Sequence, residues 1–396
     1  MVSAQMKYGA LHVLYFFCTC AFTGFAAIFL ESKGLSSTLI GVATGTACVM
    51  SVVIAPLASS ALGRCGSVTL KRLMCGFLAM AACGYVAVAA FDLPTLAIVA
   101  VFGVTNACLM AGAPFLSQLA MEMGRVGMPV NFGLARGLGS LSYALAAVVL
   151  SNVVVVLSPN ILPALVAVAV AAFVLLLRCL RVDGPGRVQP VRSQGSTGAW
   201  RIVFRQRTLV IAVLGFTVSF VACNCLTVYL ADVVRAVGGT TSDYGLAVFC
   251  MAASELPVMA LVSRVRSRVP VGVLFSVAGL AYLARNVLVV CASNVVMVFI
   301  GLLFQSLSYG LLTPLLTYYV SEVCGPNGEV AGQTFVSVAT TGVGSFIGTL
   351  LGGVLQDACG ISAMLAFVLA TTVVGTMVLI YAGRCAARDK AVRAVD

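Results

Sequence analysis

The chain has 396 residues, of which 61% are hydrophobic and only 9% are charged, and its mean hydropathy is +1.11. A soluble domain carries about 25% charged residues, so this composition excludes a soluble fold and indicates an integral membrane protein. The net charge of +11 does not indicate a nucleic-acid partner, because the basic residues fall in alternate loops, as in membrane proteins that obey the positive-inside rule.

The apolar runs predict an all-α membrane protein with twelve transmembrane helices. The spans are expected at residues 8–30, 38–62, 70–91, 95–121, 132–156, 160–180, 208–233, 242–262, 269–290, 293–320, 330–356 and 360–383. Residues 181–206 are rich in Gly, Pro, Ser and Arg, which predicts a cytoplasmic linker. We therefore expect a six-helix bundle over residues 1–180 and a second bundle, with a short basic tail, over residues 207–396.

The lysines and arginines are sorted between the two sets of loops that these spans define. One set carries little beyond Lys33 and Arg235, whereas the other carries most of the basic residues. Because basic loops face the cytoplasm, both termini are expected there. The first apolar run, 8–30, is too long for the core of a signal peptide and is expected to be the first span.

The two halves repeat each other at an offset of about 200 to 205 residues, as three matched features show. The first feature is a proline followed eight residues later by a glutamate, and the others are a Gly-x-Gly-Ser motif and a pair of glycines that flank a span. The matched residues are Pro114 and Glu122 with Pro314 and Glu322, 137–140 with 342–345, and Gly34 and Gly41 with Gly238 and Gly245. Two pseudo-symmetric bundles are therefore predicted, and transporters are commonly built from such repeats.

Glu255 lies inside the eighth predicted span. A carboxylate at the centre of a membrane helix costs about 2.5–3.5 kcal/mol on insertion scales, so such a group faces a wet cavity or a partner. Two interpretations remain open: Glu255 binds a proton or a substrate hydroxyl during transport, or it forms a packed ion pair between helices.

The remaining reactive residue types exclude several other classes of protein. Most of the fifteen cysteines lie in apolar runs without a paired CxxC set, so neither a disulfide framework nor a metal site or cofactor is expected. The single histidine and the lack of clustered acids disfavour a membrane enzyme. No backbone filter motif indicates a channel.

Several motifs together resemble the major facilitator superfamily, and within it the lactose-permease-like branch of proton symporters, which includes oligosaccharide and nucleoside carriers. The matching segments are 15–17, 136–140, 255–257, Arg285, Gln305 and 308–310. The resemblance implies the major facilitator fold in a bacterial cytoplasmic membrane, with the bilayer and a small molecule as partners. One departure concerns the tenth span, where lactose-type permeases place a His and a Glu. This chain has Gln305, Ser306 and Ser308 there.

The resemblance also implies roles for individual residues. Glu255 would bind substrate and the co-transported proton, and Arg285 would help to release that proton. Glu122 and Arg136 would bind a sugar, as a carboxylate and an arginine do at these places in sugar permeases. Tyr143 lies about two turns after Arg136, so it shares that helix face and would stack on the sugar ring.

Alternatives remain for several candidates. Glu122 has a counterpart in Glu322 near the same end of the other half, which also fits a gating or structural role. His12 would relay protons or be a buried polar residue whose hydrogen bonds are satisfied. The amides of Asn106, Asn224 and Gln305 would line the cavity or bridge helices.

These observations predict a monomeric secondary active transporter that moves a small polar solute by alternating access, with proton-coupled symport favoured. A sugar or oligosaccharide is the first expectation for the substrate, followed by a nucleoside or a small organic acid. A proton-driven antiporter that exports drugs or metabolites is the alternative.

Overall fold

The computed structural model describes residues 4–64, 69–180 and 197–393. Every regular element in these ranges is helical, and they contain no strand. The prediction of an all-α membrane protein is therefore confirmed. Residues 181–196 of the predicted linker lie outside the described residues, and the rest of that segment contains a short helix.

The chain divides into two compact units. The first comprises Met1–Arg192 with Tyr244–Phe249, and the second comprises Ser193–Asp243 with Cys250–Asp396. The first eight helices are α1 (Ala4–Thr19), α2 (Ala26–Ser32), α3 (Ser37–Arg64), α4 (Leu70–Ala90), α5 (Thr95–Ala111), α6 (Ala113–Arg125), α7 (Phe132–Leu157) and α8 (Leu162–Arg178). They are followed by α9 (Thr197–Arg205), α10 (Arg207–Val228), α11 (Leu230–Ala236), α12 (Thr241–Arg266), α13 (Val271–Val290), α14 (Val295–Leu303), α15 (Tyr309–Ser337), α16 (Ser345–Cys359) and α17 (Ile361–Arg393).

The helical runs of the described residues account for the twelve predicted spans. Ten of these helical runs are each long and apolar enough to cross a membrane. The number is eleven if the bent pair Ala4–Gly24 and Ala26–Ser32 forms one span. The run Tyr309–Cys359 has 51 residues, whereas about 20 suffice to cross a bilayer. It is interrupted at Gly325, where φ is 58° and ψ is −177°, so it supplies the second part of the tenth span, which begins with α14, and the eleventh span.

Three spans depart from a regular α-helix in their interior. The first bends by 48° next to a π-helical segment, Cys20–Gly24, and a second π-helical segment, Val338–Gly344, joins α15 to α16. Residues 304–308 form turns between α14 and α15. Such segments often occur at functional sites, because they re-aim side chains and free backbone groups.

Glycines allow close contact between helices α16 and α10 in the second unit. A Cβ atom added to Gly348 would lie 2.3 Å from the carbonyl oxygen of Val221, and one added to Gly352 would lie 2.4 Å from Sγ of Cys225. Small residues favour helix association in membranes because lipid provides no hydrophobic drive for it. The repeated glycines of this span therefore serve packing.

Candidate functional site

Arg136 of the first unit lies over the ring of Phe16, with 4.9 Å between the guanidinium carbon and the ring centroid. Helix α7 begins just before it, because the Asn131 side chain accepts a hydrogen bond of 2.9 Å from the Leu134 amide. Gly139 makes room for the ring, since an added Cβ would lie 2.5 Å from Cδ2 of Phe16. Arg136 is exposed and forms no ion pair or hydrogen bond with the described residues. Its donors are therefore available to a ligand.

His12 is buried beside this cation, in a cluster of aromatic rings. Its Nδ1 atom lies 3.2 Å from the Tyr8 carbonyl oxygen, which can only accept, so Nδ1 carries the hydrogen. The ring centroids of Tyr8, Phe16 and Phe132 lie 4.6, 6.5 and 5.8 Å from that of His12. The backbone thus satisfies one nitrogen of the imidazole. The role of His12 in proton relay stays a prediction.

Tyr143 and Asn106 both approach the π-helical segment of the first span. A Cβ added to Gly24 would lie 2.9 Å from the Tyr143 hydroxyl, and the Thr23 hydroxyl donates a 2.7 Å hydrogen bond to Oδ1 of Asn106. Asn106 is 1% exposed, whereas Tyr143 is half-buried. Asn106 therefore bridges helices at this segment, which was one of its two predicted roles.

Glu122 is not joined to Arg136 by an ion pair or a hydrogen bond in the described part of the chain. It is half-buried near the end of α6, where Arg125 and Lys71 are the cations that act on it electrostatically. The two residues thus make no direct contact that an ion pair or hydrogen bond would show among the described residues, and their predicted binding of a sugar stays a prediction.

Glu255 of the second unit accepts a 2.9 Å hydrogen bond from Nε2 of Gln305. Gln305 lies in the turns between α14 and α15, is 4% exposed, and also approaches Sγ of Cys223 at 3.9 Å through Oε1. Gly310 allows α15 to approach α12, because its added Cβ would lie 3.4 Å from Cα of Glu255. The break in the tenth span thus places an amide donor on a half-buried carboxylate.

Arg285 is completely buried and has no carboxylate partner among the described residues. Its Nη1 atom donates a 3.2 Å hydrogen bond to Oδ1 of Asn286, and its Nη2 atom lies 4.0 Å from Sδ of Met251. Asn286 in turn donates a 2.6 Å hydrogen bond to the hydroxyl of Thr372, while Nε of Arg285 has no partner. The cation is therefore held by neutral groups alone.

Tyr282 is a residue of this cluster that the sequence prediction missed. It is fully buried, its hydroxyl has no hydrogen-bond partner, and both Arg285 and Glu255 act on it electrostatically. Tyr282, Arg285 and Asn286 are spaced i, i+3 and i+4, so they share one face of α13, which is otherwise apolar except for Ser276. That spacing is the sequence signal that identifies the cluster.

Asn224 is half-buried in α10 and forms no hydrogen bond with any described residue. Its amide is therefore available to a ligand, as is expected of a residue that lines a cavity.

A cavity of about 550 Å³ lies elsewhere in the second unit, where Arg266, Arg268, Glu322 and Asp389 contribute to its lining. Arg266 forms an ion pair with Glu322 and lies 5.4 Å from the ring centroid of Tyr318. No residue predicted to bind substrate or proton lines this cavity. The ion pair favours the structural or gating interpretation of Glu322.

A sequence model described as MFS_1 like family matches residues 6–369. The maltose permease of Geobacillus stearothermophilus is 26% identical over 255 residues, which are 63% of this chain. In this match the chain spans 62% of the length of that permease.

Solved structures with similar folds include two transporters. The nucleoside transporter NupG has a TM-score of 0.82 and 14% identity, with 96% of this chain and 98% of that chain covered. A bacterial homologue of the human lysosomal transporter Spinster, inward-facing and unoccupied, has a TM-score of 0.72 and 14% identity, with 97% of each chain covered. At this identity the similarity establishes the fold alone.

Proposed function

Because the chain belongs to the MFS_1 like family of the major facilitator superfamily, we propose that it is a proton-coupled symporter for a sugar or oligosaccharide. The family is a class of transporters, so the chain is a multi-pass membrane transporter for a small solute and not an enzyme. We place it in a bacterial cytoplasmic membrane as a functional monomer with both termini inside. A nucleoside or a small organic acid is the next candidate for the substrate.

The observation that carries the proposal is the hydrogen bond between Gln305 and Glu255 inside the membrane span. A neutral amide donor stabilises the carboxylate without neutralising it, so the group keeps its capacity to take up a proton. Protonation removes a buried charge and thereby lowers the cost of moving the site through the low-dielectric interior. Glu255 is therefore the proposed proton carrier.

Arg285 is the proposed group that promotes release of the proton from Glu255. It is a permanent cation, it is completely buried, and no carboxylate of the described residues pairs with it. Its Nη2 atom lies 4.0 Å from Sδ of Met251, which is four residues before Glu255 on the same face of α12, so the cation lies close to the helix turn that carries the carboxylate. A nearby cation favours the ionised carboxylate and so promotes proton release.

The first unit supplies the proposed substrate contacts. Arg136 presents hydrogen-bond donors above the Phe16 ring, and Tyr143 presents an aromatic ring near the π-helical segment. Guanidinium groups suit sugar hydroxyls and carboxylates, while aromatic rings stack on the apolar face of a sugar. The maltose permease relative supports the choice of a sugar.

The test compares Glu255→Gln with Asp92→Asn in proteoliposomes that carry a proton gradient. Glu255→Gln is expected to abolish accumulation of maltose or another transported sugar above equilibrium, because glutamine cannot exchange a proton. Exchange of labelled for unlabelled sugar across the membrane is expected to persist. Asp92→Asn removes a negative charge from an exposed position between α4 and α5 and is expected to leave accumulation intact.

Normal accumulation by Glu255→Gln would overturn the role of Glu255. Sugar efflux driven by an opposing proton gradient would identify an antiporter instead. A panel of sugars, nucleosides and organic acids, tested by thermal stabilisation of the purified protein, decides among the substrate classes. Stabilisation by nucleosides alone would overturn the choice of a sugar.

A further inference from the structure

Helix α9 immediately precedes the seventh membrane span and packs on the second unit with one face. Val203 is fully buried in the core of that unit, and Ala199 is 6% exposed. A Cβ added to Gly328 of α15 would lie 2.9 Å from Cγ2 of Ile202, so the two helices are in close contact. This face anchors α9 and fixes the direction of its remaining side chains.

The exposed surface of α9 has an aromatic side and a basic side. Trp200, the only tryptophan of the chain, is 37% exposed and Phe204 is 57% exposed, and their rings stack with 6.1 Å between centroids. Arg201 and Arg205 are both exposed as well. Each pair is spaced i and i+4, so each lies on its own face of the helix, about 100° from the other.

The position of α9 along the chain places it at the level of the lipid headgroups. Only Gln206 separates its last residue from Arg207, where the membrane span α10 begins. No acidic residue occurs between Thr197 and Arg207. Tryptophan concentrates at the membrane interface, where its apolar ring and its polar N–H are both satisfied, and arginine binds phosphate groups bidentately.

We propose that α9 docks on a bilayer surface that contains anionic phospholipids. Arg201 and Arg205 bind the headgroup phosphates, while Trp200 and Phe204 insert at the boundary between headgroups and acyl chains. The occupant is a lipid surface because large aromatic side chains, arginines and the start of a membrane span coincide here, with no acidic residue among them. The inference requires only that α10 spans a membrane and holds for a transporter of any substrate.

The single tryptophan makes the proposal directly measurable. The full-length protein is reconstituted in vesicles of neutral phosphatidylcholine, with and without phosphatidylglycerol, and quenching of Trp200 fluorescence by acyl-brominated lipid is measured. We expect roughly two-fold stronger quenching in the anionic vesicles, because headgroup charge draws α9 against the bilayer. Arg201→Gln with Arg205→Gln is expected to reduce quenching to the level of neutral vesicles, and 0.5 M salt to weaken it.

Two matched variants decide whether the effect belongs to α9. Arg264→Gln with Arg268→Gln removes the same charge from exposed positions outside α9 and is expected to keep the full difference. Arg201→Lys with Arg205→Lys keeps the charge on α9 and is also expected to keep the difference. Equal quenching in neutral and anionic vesicles, or an equal loss in the Arg264 and Arg268 variant, would overturn the proposal. Absence of quenching in both vesicle types would also overturn it, because α9 would then lie away from the bilayer.

Discussion

Arg136 and Arg285 are both arginines of membrane spans, but the two units give them opposite surroundings. Arg136 is exposed over an aromatic ring, whereas Arg285 is completely buried among an amide, a thioether and a hydroxyphenyl ring. An exposed cation contributes little to stability and can bind a ligand, while a buried cation without an anion is costly. These surroundings agree with the roles proposed above, in which Arg136 contacts the substrate and Arg285 acts on Glu255.

The largest expected effect concerns Arg285, the buried arginine. Replacement of Arg285 by methionine keeps much of its volume and removes the buried charge, so stability is expected to be unchanged or raised by about 1–4 kcal/mol. Proton-driven accumulation is expected to fall by roughly 100-fold, the scale of losing one charge-stabilising group. Thermal unfolding and proteoliposome uptake measure the two effects separately.

Arg285→Ala is the control for packing, because it leaves a cavity and is expected to lose about 2–5 kcal/mol of stability. If methionine destabilises the protein as much as alanine does, the buried charge serves the fold and not the transport cycle.

The next largest effect concerns Arg136, the exposed arginine. Arg136→Ala is expected to change the free energy of unfolding by no more than about 1 kcal/mol, because the side chain is exposed and loses a cation–π contact with Phe16. It is expected to weaken substrate binding by roughly 10-fold to 100-fold, as a hydrogen bond to a charged group is lost. Isothermal titration measures the affinity. Arg178→Ala, at another exposed arginine of the first unit, is the control, and an equal loss there would refute a specific role for Arg136.

A smaller effect tests whether Phe16 helps to orient the exposed cation. Gly139→Ala places a Cβ 2.5 Å from the Phe16 ring, so the ring must shift away from its position under Arg136. Loss of a cation–π contact worth about 0.5–1 kcal/mol would weaken substrate binding about two-fold to five-fold. Gly137→Ala, whose Cβ would have no neighbour within 4 Å, is expected to leave affinity unchanged. Equal affinities in the two variants would show that the ring does not orient Arg136.

The smallest effect concerns Asn286, whose side-chain amide contacts both Arg285 and Thr372. Thr372→Val removes the hydroxyl that accepts a 2.6 Å hydrogen bond from Asn286, and is expected to cost about 1 kcal/mol of stability with a minor loss of transport. Thr371→Val is the control, because the Thr371 hydroxyl bonds only to carbonyls of its own helix. Equal destabilisation by both valines would show that the Asn286 contact adds nothing to the network.

The sequence predicted the membrane spans well and their interruptions poorly. The predicted span at 70–91 corresponds to α4, Leu70–Ala90, but the span at 293–320 did not anticipate the turns at 304–308. Apolar composition reports how favourably a segment enters a bilayer, and it is insensitive to a local bend. The turns matter for function because they hold Gln305, whose amide reaches Glu255.

The sequence located the charged candidate residues and missed some neutral ones, because composition does not show which side chains are neighbours. Charged residues such as Glu255 and Arg285 stand out in an apolar run, so composition alone located them. Tyr282 and the hydroxyl of Thr372 escaped notice, because such side chains are common in membrane helices and gain meaning only from their neighbours. The sugar-binding roles of Glu122 and Arg136 were expected from resemblance alone and stay predictions, because no ion pair or hydrogen bond joins the two among the described residues.

The sequence by itself determined that this chain lies in a membrane, how many times it crosses, and which spans carry charge. These properties follow from transfer of each segment out of water, which depends on local composition. Only the tertiary structure decided that Gln305 holds Glu255, that no carboxylate of the described residues pairs with Arg285, and that Phe16 lies beneath Arg136. Such contacts join residues far apart in the chain, and they depend on how helices pack, which local composition does not encode.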